Sequence, residues 1–369
     1  PTFGARIAGR QRPHRAVLTR GLCSIDCGAN EAGKKKKARQ AVGLQNLATN
    51  RARSVGIDSS KTADSVAAIV AKTPSKPVAL RAFRETDLDQ IFSLYEQVFG
   101  ADARDAFRAR WQWSQVQNLF PENSPKWVLD SEGEIVGFLG TVPIPYVIAA
   151  KRVVTHCPGD YMVAKRAQFH GIKLMRECFR ACPAIVSLDD VEATIAVSRF
   201  LKAKHVATME RWVKVLDPRM ALRRWPELAR VPSAAWQIAR MGLSMVDVPK
   251  SFLGPIVQTL IGKFDERFDR FFDRCLSSDS KQACVDRSSR YLNWRYGEKS
   301  PNASRSVGFV ASKRGDVEGY VVCGNSHDAE KTGFILELLV APTAGDDVVN
   351  ALVAFASKTL RRQGAWLMR

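Results

Sequence analysis

Apolar and polar positions change rhythm several times along the chain, and each change predicts an element. "VALRAF" alternates like a strand from Val78. Thr86 and Asp87 can cap the run that follows, in which Leu88, Ile91, Leu94, Tyr95 and Val98 recur at helical spacing. A second helical stretch runs from about Asp102 to Leu119. "KWVLDSEGEIVGFLGTVPIPYVI" reads as two strands around a turn at Ser131-Glu132-Gly133. "RVVTHCPGDYMVA" is a further strand, "PAIVSL" a short apolar one, Asp190 to Lys204 a helix, and "VATMERWVKVL" a closing strand.

Residues 217–262 read as helical and irregular, punctuated by Pro218, Pro226, Pro232, Pro249 and Pro255, which suits a linker or an inserted subdomain. Beyond them the order partly repeats. Phe264, Phe268, Phe271 and Phe272 share a helical face, and "RSVGFVAS" and "EGYVVCG" flank "KRGDV" as a hairpin. "TGFILELLVAP" is a strand, "DDVVNALVAFASKTLRRQ" a helix and "AWLM" the next strand. The expectation is an α/β fold (α+β, mixed sheet) with two similar units in tandem, at 78–216 and 263–369, joined by a helical linker over 217–262. The second unit reads as incomplete at its C-terminal end.

Charge changes this picture mainly at the N-terminus. Of a net charge of +19, residues 1–77 contribute +11, from fifteen Lys and Arg against four acids. They read as a disordered basic leader with no assigned role, and the remaining +8 makes the folded part only mildly basic. That balance favours anionic ligands, and specific nucleic-acid binding is not expected, because an aromatic and basic platform is missing. Eight cysteines and five histidines are scattered without CxxC or zinc spacing, so neither a metal nor a disulfide framework is expected, and a reducing cytoplasm is the simplest location. The longest apolar run, "MGLSMVDVPKSFLGPIVQTLIGK", is broken by Asp247, Pro249, Lys250 and Pro255. No transmembrane segment is expected, and peripheral contact with a membrane stays open.

Candidate chemistry concentrates in "DYMVAKRAQFHGIKLMREC", Asp160 to Cys178. Tyr161 and Val163 alternate at a strand end, and Ile172, Met175, Phe179 and Cys182 recur on one face of the helix that follows. The loop between them opens into a helix N-terminus, where unpaired N–H groups and the helix dipole favour a phosphate. Gly171 there either lets a ligand approach the backbone or simply allows close packing.

The succession of elements, together with Gln168-Phe169-His170-Gly171-Ile172-Lys173, resembles the GNAT (GCN5-related) N-acyltransferase family and its Gln/Arg-x-x-Gly-x-Gly/Ala segment. The resemblance implies that amides of Gln168, Phe169, His170, Gly171 and Ile172 hold the pyrophosphate of acetyl-CoA. It also implies that the backbone of Met162, Val163 and Ala164 pairs with the pantetheine arm. Lys173, at the place of the final small residue, either points away or touches phosphate. A second family pattern, Asn-x-x-Ala with a tyrosine four residues on, is met by Ala196 alone. Ala193 replaces the asparagine, and Phe200 stands where the tyrosine that often protonates the departing thiolate would be.

"RYLNWRYGEKSP", the hairpin and "GFILELLVAP" resemble the second half of bacterial tandem-GNAT proteins, some of them linked to glycan synthesis. Their following loop, "TAGDD", lacks the signature, which assigns the cofactor to the first unit and substrate binding or scaffolding to the second. Asp160 is a candidate general base or a turn residue after Pro158-Gly159. Glu337, inside an apolar strand, is a candidate substrate contact across the domain interface, or sits at a sheet edge. Asp189 and Asp190 read as helix caps, and Tyr291, Trp294 and Tyr296 as core. The implied function is transfer of an acetyl or related group from CoA to an amine, such as an amino sugar or glycan precursor. The alternative is a catalytically silent CoA-binding or protein-interaction module. Oligomeric state is not legible.

Overall fold

A computed structural model describes residues 77–187, 192–204, 206, 212–223, 225–245, 256–260, 263–277, 283–301, 306–313, 315–326 and 332–369 of the chain. The basic leader up to residue 76, Asp189 and Asp190 lie outside the described residues.

The first sheet is antiparallel, with β1 (Ala79–Ala82), β2 (Lys126–Ser131), β3 (Glu134–Ile148) and β4 (Lys151–Val163) side by side in that order. Between β1 and β2 run α1 (Leu88–Phe99) and α2 (Arg104–Trp111). The helical stretch predicted to reach Leu119 changes character after Trp111 into a π-helical turn, Gln112–Val116. The reason lies on β3, which leaves β2 after Gly140 and is paired again only from Tyr146, by β7 (Ala283–Val285). In the gap, Gln115 Nε2 donates to Thr141 O at 3.2 Å and Asn118 Nδ2 to Pro143 O at 3.2 Å. Side chains of the turn and of the segment after it, with Ser124 Oγ also donating to Thr141 O at 2.6 Å, thus supply the donors that a neighbouring strand would have supplied.

After β4 come α3 (Gly171–Ala181) and α4 (Glu192–Phe200). The strand expected in "PAIVSL" reduces to one parallel bridge between Ile185 and His156. The second sheet has the order β5 (Lys214–Val215), β11 (Leu367–Met368), β10 (Thr332–Val340), β9 (Asp316–Asn325), β8 (Ser306–Lys313), β6 (Ile256–Leu260). Within it β10 and β11 are parallel, joined by α8 (Asp346–Arg362), and the other pairs are antiparallel. The remaining helices are α5 (Ser233–Met245), α6 (Glu266–Ser277) and α7 (Ser289–Tyr296).

Three pairings cross the expected unit boundaries. β5, placed with the first unit, pairs with β11 of the second sheet. β7, placed with the second unit, pairs with β3 of the first. β6, inside the presumed helical linker, pairs with β8; its Ile-Val-Gln-Thr-Leu run, opened by a proline, favours an extended chain.

Three cores result. Phe92, Phe107, Trp111 and Phe138 fill the first, between the first sheet and α1 to α3. Leu352, Ala356 and Leu360 of α8 fill another against Val321 and Leu216. The third draws on both halves of the chain: Trp113, Val142 and Ile144 meet Phe264, Phe268, Phe271, Phe272 and Tyr320. The predicted phenylalanine face of α6 is therefore buried as expected, as are Tyr291 and Trp294. At its centre the Trp113 and Trp294 rings stack 4.5 Å apart. Each indole N–H donates to the other residue's carbonyl, at 2.9 and 3.4 Å.

Candidate functional site

The site is set by how β4 leaves its neighbours. From Lys151 to Gly159 it pairs regularly with β3, and then one extra residue shifts the register between Phe138 and Gly140. Asp160 lies in this bulge with φ 54°. Past it, Ala164 N–H donates to Val136 O at 2.8 Å, so alternation turns the N–H and C=O of Val163 to the side away from β3. On that side β4 also meets residues 184–186. His156 N–H donates to Ala184 O at 2.9 Å, and Val186 N–H to His156 O at 3.1 Å. The next position facing that side is Pro158, which has no N–H and ends the ladder. The segments part there, and Val163 has no main-chain partner on that side among the described residues.

Lys165–His170 then forms a 3-10 turn that runs into α3, whose N-terminus has no side-chain cap. Gln168 and Phe169 are exposed, Phe169 at 86%, and His170 and Ile172 are half-buried. Met162 and Ala164 are buried in the first core. Gly171 is buried too. A Cβ on it would collide with the Tyr161 hydroxyl and lie 3.2 Å from Val163 Cγ2, so this glycine permits α3 to sit directly on β4. The Tyr161 hydroxyl lies at the start of α3, and burial pushes its pKa up. Lys173 Nζ donates to Val78 O at 3.2 Å, which directs it toward β1. The buried face of α3 is Gly171, Leu174, Met175 and Cys178, with Ile172 and Phe179 at its margins. The face read from the sequence was therefore rotated by part of a turn.

The two candidate carboxylates lie in different sheets. The Asp160 side chain is 5% exposed and ion-paired with Arg110 of α2. The Arg110 guanidinium lies over Tyr95 and Phe107, 5.4 and 5.2 Å from the ring centres. Burial pushes the Asp160 carboxyl up, with Arg110 opposing. Glu337 is also buried, on β10 beyond the reach of β11, which pairs only Thr332 and Gly333; there β10 is paired by β9 alone among the described residues, so the position is at a sheet edge yet covered. Arg287 Nε donates to its Oε1 at 2.6 Å and the Tyr296 hydroxyl to Oε2 at 3.3 Å. The β10 register shifts between Ile335 and Glu337, so each sheet carries a bulge with a buried acid and an arginine beside it.

Sequence reasoning missed Arg110 and Arg287, and the parts that Pro158 and Tyr161 play at the site. Arg110 left a signal, a charged residue between Phe107 and Trp111 on the buried face of α2. Phe200 is 66% exposed at the end of α4. Asp346 and Asp347 occupy the first turn of α8 behind Gly345. Among the described residues, no group of three His, Cys, Asp or Glu side chains is placed to hold a metal, and no helix is long and apolar enough to cross a membrane.

No family model matches this sequence, and no curated protein matches it. Among solved structures, it is similar to a conserved protein of unknown function from Enterococcus faecalis V583, described as a probable N-acyltransferase. That match has 11% identity and a TM-score of 0.44, and covers 79% of this chain and 64% of that one. A GCN5-related N-acetyltransferase from Kribbella flavida is similar at 14% identity and TM-score 0.44, over 80% and 64% of the two chains. Saccharomyces cerevisiae N-myristoyltransferase with bound myristoyl-CoA is similar at 10% identity and TM-score 0.43, over 80% and 76%. The chain spans just under two thirds of the first two proteins.

Proposed function

We propose that the chain is an acyl-CoA-dependent N-acyltransferase, moving an acetyl or related acyl group from CoA to an amine. The observation that carries this reading is the opening of β4: among the described residues the Val163 main chain has no partner on the side away from β3, and the strand runs straight into the 3-10 turn and α3. Pantetheine is an extended chain with two amides, able to pair with such an edge as an added strand does. The pyrophosphate beyond it would lie at the positive end of the α3 dipole and share the amides of Gln168 to Ile172 with the 3-10 turn, in which the Gly171 N–H already donates to Gln168 O. Phe169 and His170 flank that place, and Lys173 is turned away from it.

In this reading the amine nitrogen attacks the thioester carbonyl. A C–N bond forms, the C–S bond breaks, and the electron pair leaves on sulfur. Thiolate is a good leaving group, so holding the amine in line supplies much of the rate. Asp160 either takes the proton that the attacking nitrogen sheds or, held by Arg110, fixes the bulge that aims Val163 while the departing thiolate takes that proton; Glu337 supports the second unit from its pair with Arg287. An amino sugar or glycan precursor is the acceptor class that accompanies the resemblance.

A silent CoA-binding module is the second reading, favoured by Phe200 and by the burial of both carboxylates against arginines. Calorimetric titration with acetyl-CoA tests the donor site. Heat from the parent, weakened about tenfold in Gln168→Glu by a charge opposite the phosphates, is expected. No heat from the parent sinks the donor site. Heat without transfer across a panel of amines selects the silent module.

A further inference from the structure

Several polar groups around the β4 opening are already committed. Asp160 is held by Arg110, and Lys173 is tied to Val78 O. The Gly171 N–H donates to Gln168 O, so one amide at the start of α3 is in use as well. The Tyr161 hydroxyl differs from these: it makes no hydrogen bond with the described residues. Its position follows from the close approach at Gly171. A Cβ on Gly171 would collide with the Tyr161 oxygen and lie 3.2 Å from Val163 Cγ2. Cα–Cβ bonds in a helix tilt toward its N-terminus, so the place that this Cβ would fill lies ahead of the first turn, on the β4 side. The hydroxyl therefore stands before the N-terminus of α3, beside the strand whose Val163 main chain is open. Ser114 Oγ and Tyr320 Oη also lack a partner among the described residues, but both are sealed in the interior, whereas Tyr161 is half-buried.

We propose that the Tyr161 hydroxyl donates a hydrogen bond to a phosphate oxygen of the acyl donor, a contact outside the Gln168–Lys173 segment. This rests on the donor site proposed above and adds a side chain to a cradle otherwise made of main chain. The surroundings favour an anion over other solutes. The hydroxyl, the N–H groups of the first turn of α3 and the positive end of its dipole meet there, and no acid occurs from Tyr161 to Arg176. Burial raises the tyrosine's pKa, so the oxygen keeps its proton and stays a donor throughout the neutral range. A hydroxyl without a protein partner also gives up no internal bond when a phosphate arrives. The glycine opposite then has two roles, since it admits both α3 and the hydroxyl to the same place.

The test uses the full chain and Tyr161→Phe, which removes the oxygen and leaves the ring in place. Because that oxygen has no partner among the described residues, circular dichroism and melting temperature should stay those of the parent. Calorimetric titration with CoA should show affinity weakened about tenfold, as for a lost bond to a charged acceptor. Titration with pantetheine, which carries no phosphate, should give the same affinity in both proteins. Unchanged affinity for CoA overturns the proposal, and if turnover alone falls the hydroxyl is a proton donor instead. An equal loss with pantetheine also overturns it, by placing the contact elsewhere on the donor. A parent that binds no CoA sinks the donor site itself, which separates that failure from a failure of Tyr161 alone.

Discussion

A non-glycine residue in the left-handed region costs on the order of 1 kcal/mol, and Asn and Asp tolerate it best. Asp160 meets both conditions at the β4 bulge, with its carboxylate buried against Arg110. Asp160→Asn keeps the backbone preference but removes that counter-charge. Since breaking a buried pair from one side costs about 3–5 kcal/mol, urea denaturation should show a large loss of stability. Unchanged stability with abolished transfer would instead make Asp160 the base. Asp87 makes a prediction about pH. It accepts from Arg81 at 2.7 and 2.9 Å and from the Arg84 N–H at 2.8 Å, and these bonds, led by Arg81, hold its carboxyl below the usual range. A depressed folded-state pKa means that the unfolded chain binds the proton first. The contribution is therefore present above about pH 4 and is lost as pH falls through the folded value. Asp87→Asn should cost about 1–2 kcal/mol at neutral pH, and the gap from the parent should narrow as pH falls below about 4 in urea titrations. A gap constant with pH would refute this.

The two tight turns of the first sheet differ in a way that can be exploited. At the β2–β3 turn, positive φ falls on Glu132 and Gly133. At the β3–β4 turn it falls on two alanines, Ala149 at 48° and Ala150 at 62°, a geometry that favours Asn-Gly. Ala149→Asn/Ala150→Gly should stabilise the protein by about 1 kcal/mol, seen as a melting temperature raised by a few degrees. No rise would mean that the long hairpin is held by its partners rather than by its turn. Elements of this kind were legible because period 2, period 3.6 and turn residues are local signals. The hairpins, the phenylalanine face of α6 and the loop-to-helix junction at Gly171 all declare themselves that way. The π-helical turn after α2, the strand character of 256–260 and the buried face of α3 did not. Each depends on a partner far along the chain, as the Gln115 and Asn118 bonds to β3 show. The same limit applies at the candidate site. Gly171 could be read, but that Pro158 ends a ladder and that Val163 faces an opening requires knowing which side of β4 is paired.

At the scale of the molecule, the two halves of the sequence exchange strands, since β5 joins the second sheet and β7 the first. Their shared core makes neither a free-standing body. Arg152 of the β3–β4 hairpin reinforces this by reaching Asp273 and Asp286 at 3.0 and 3.1 Å. A chain built this way should lose both units together, so thermal unfolding should give one transition with equal calorimetric and van't Hoff enthalpies. The Trp113–Trp294 pair provides the decisive measurement. Either tryptophan truncated to alanine should cost about 3–5 kcal/mol, by the loss of a large buried ring. The two losses should fall short of additive by about 1 kcal/mol, because the stacked rings and their exchanged N–H bonds are lost together in either single variant. Two resolved transitions, or single losses that add within about 0.3 kcal/mol, would show instead that the units are separate domains in contact and that the stack contributes no coupling.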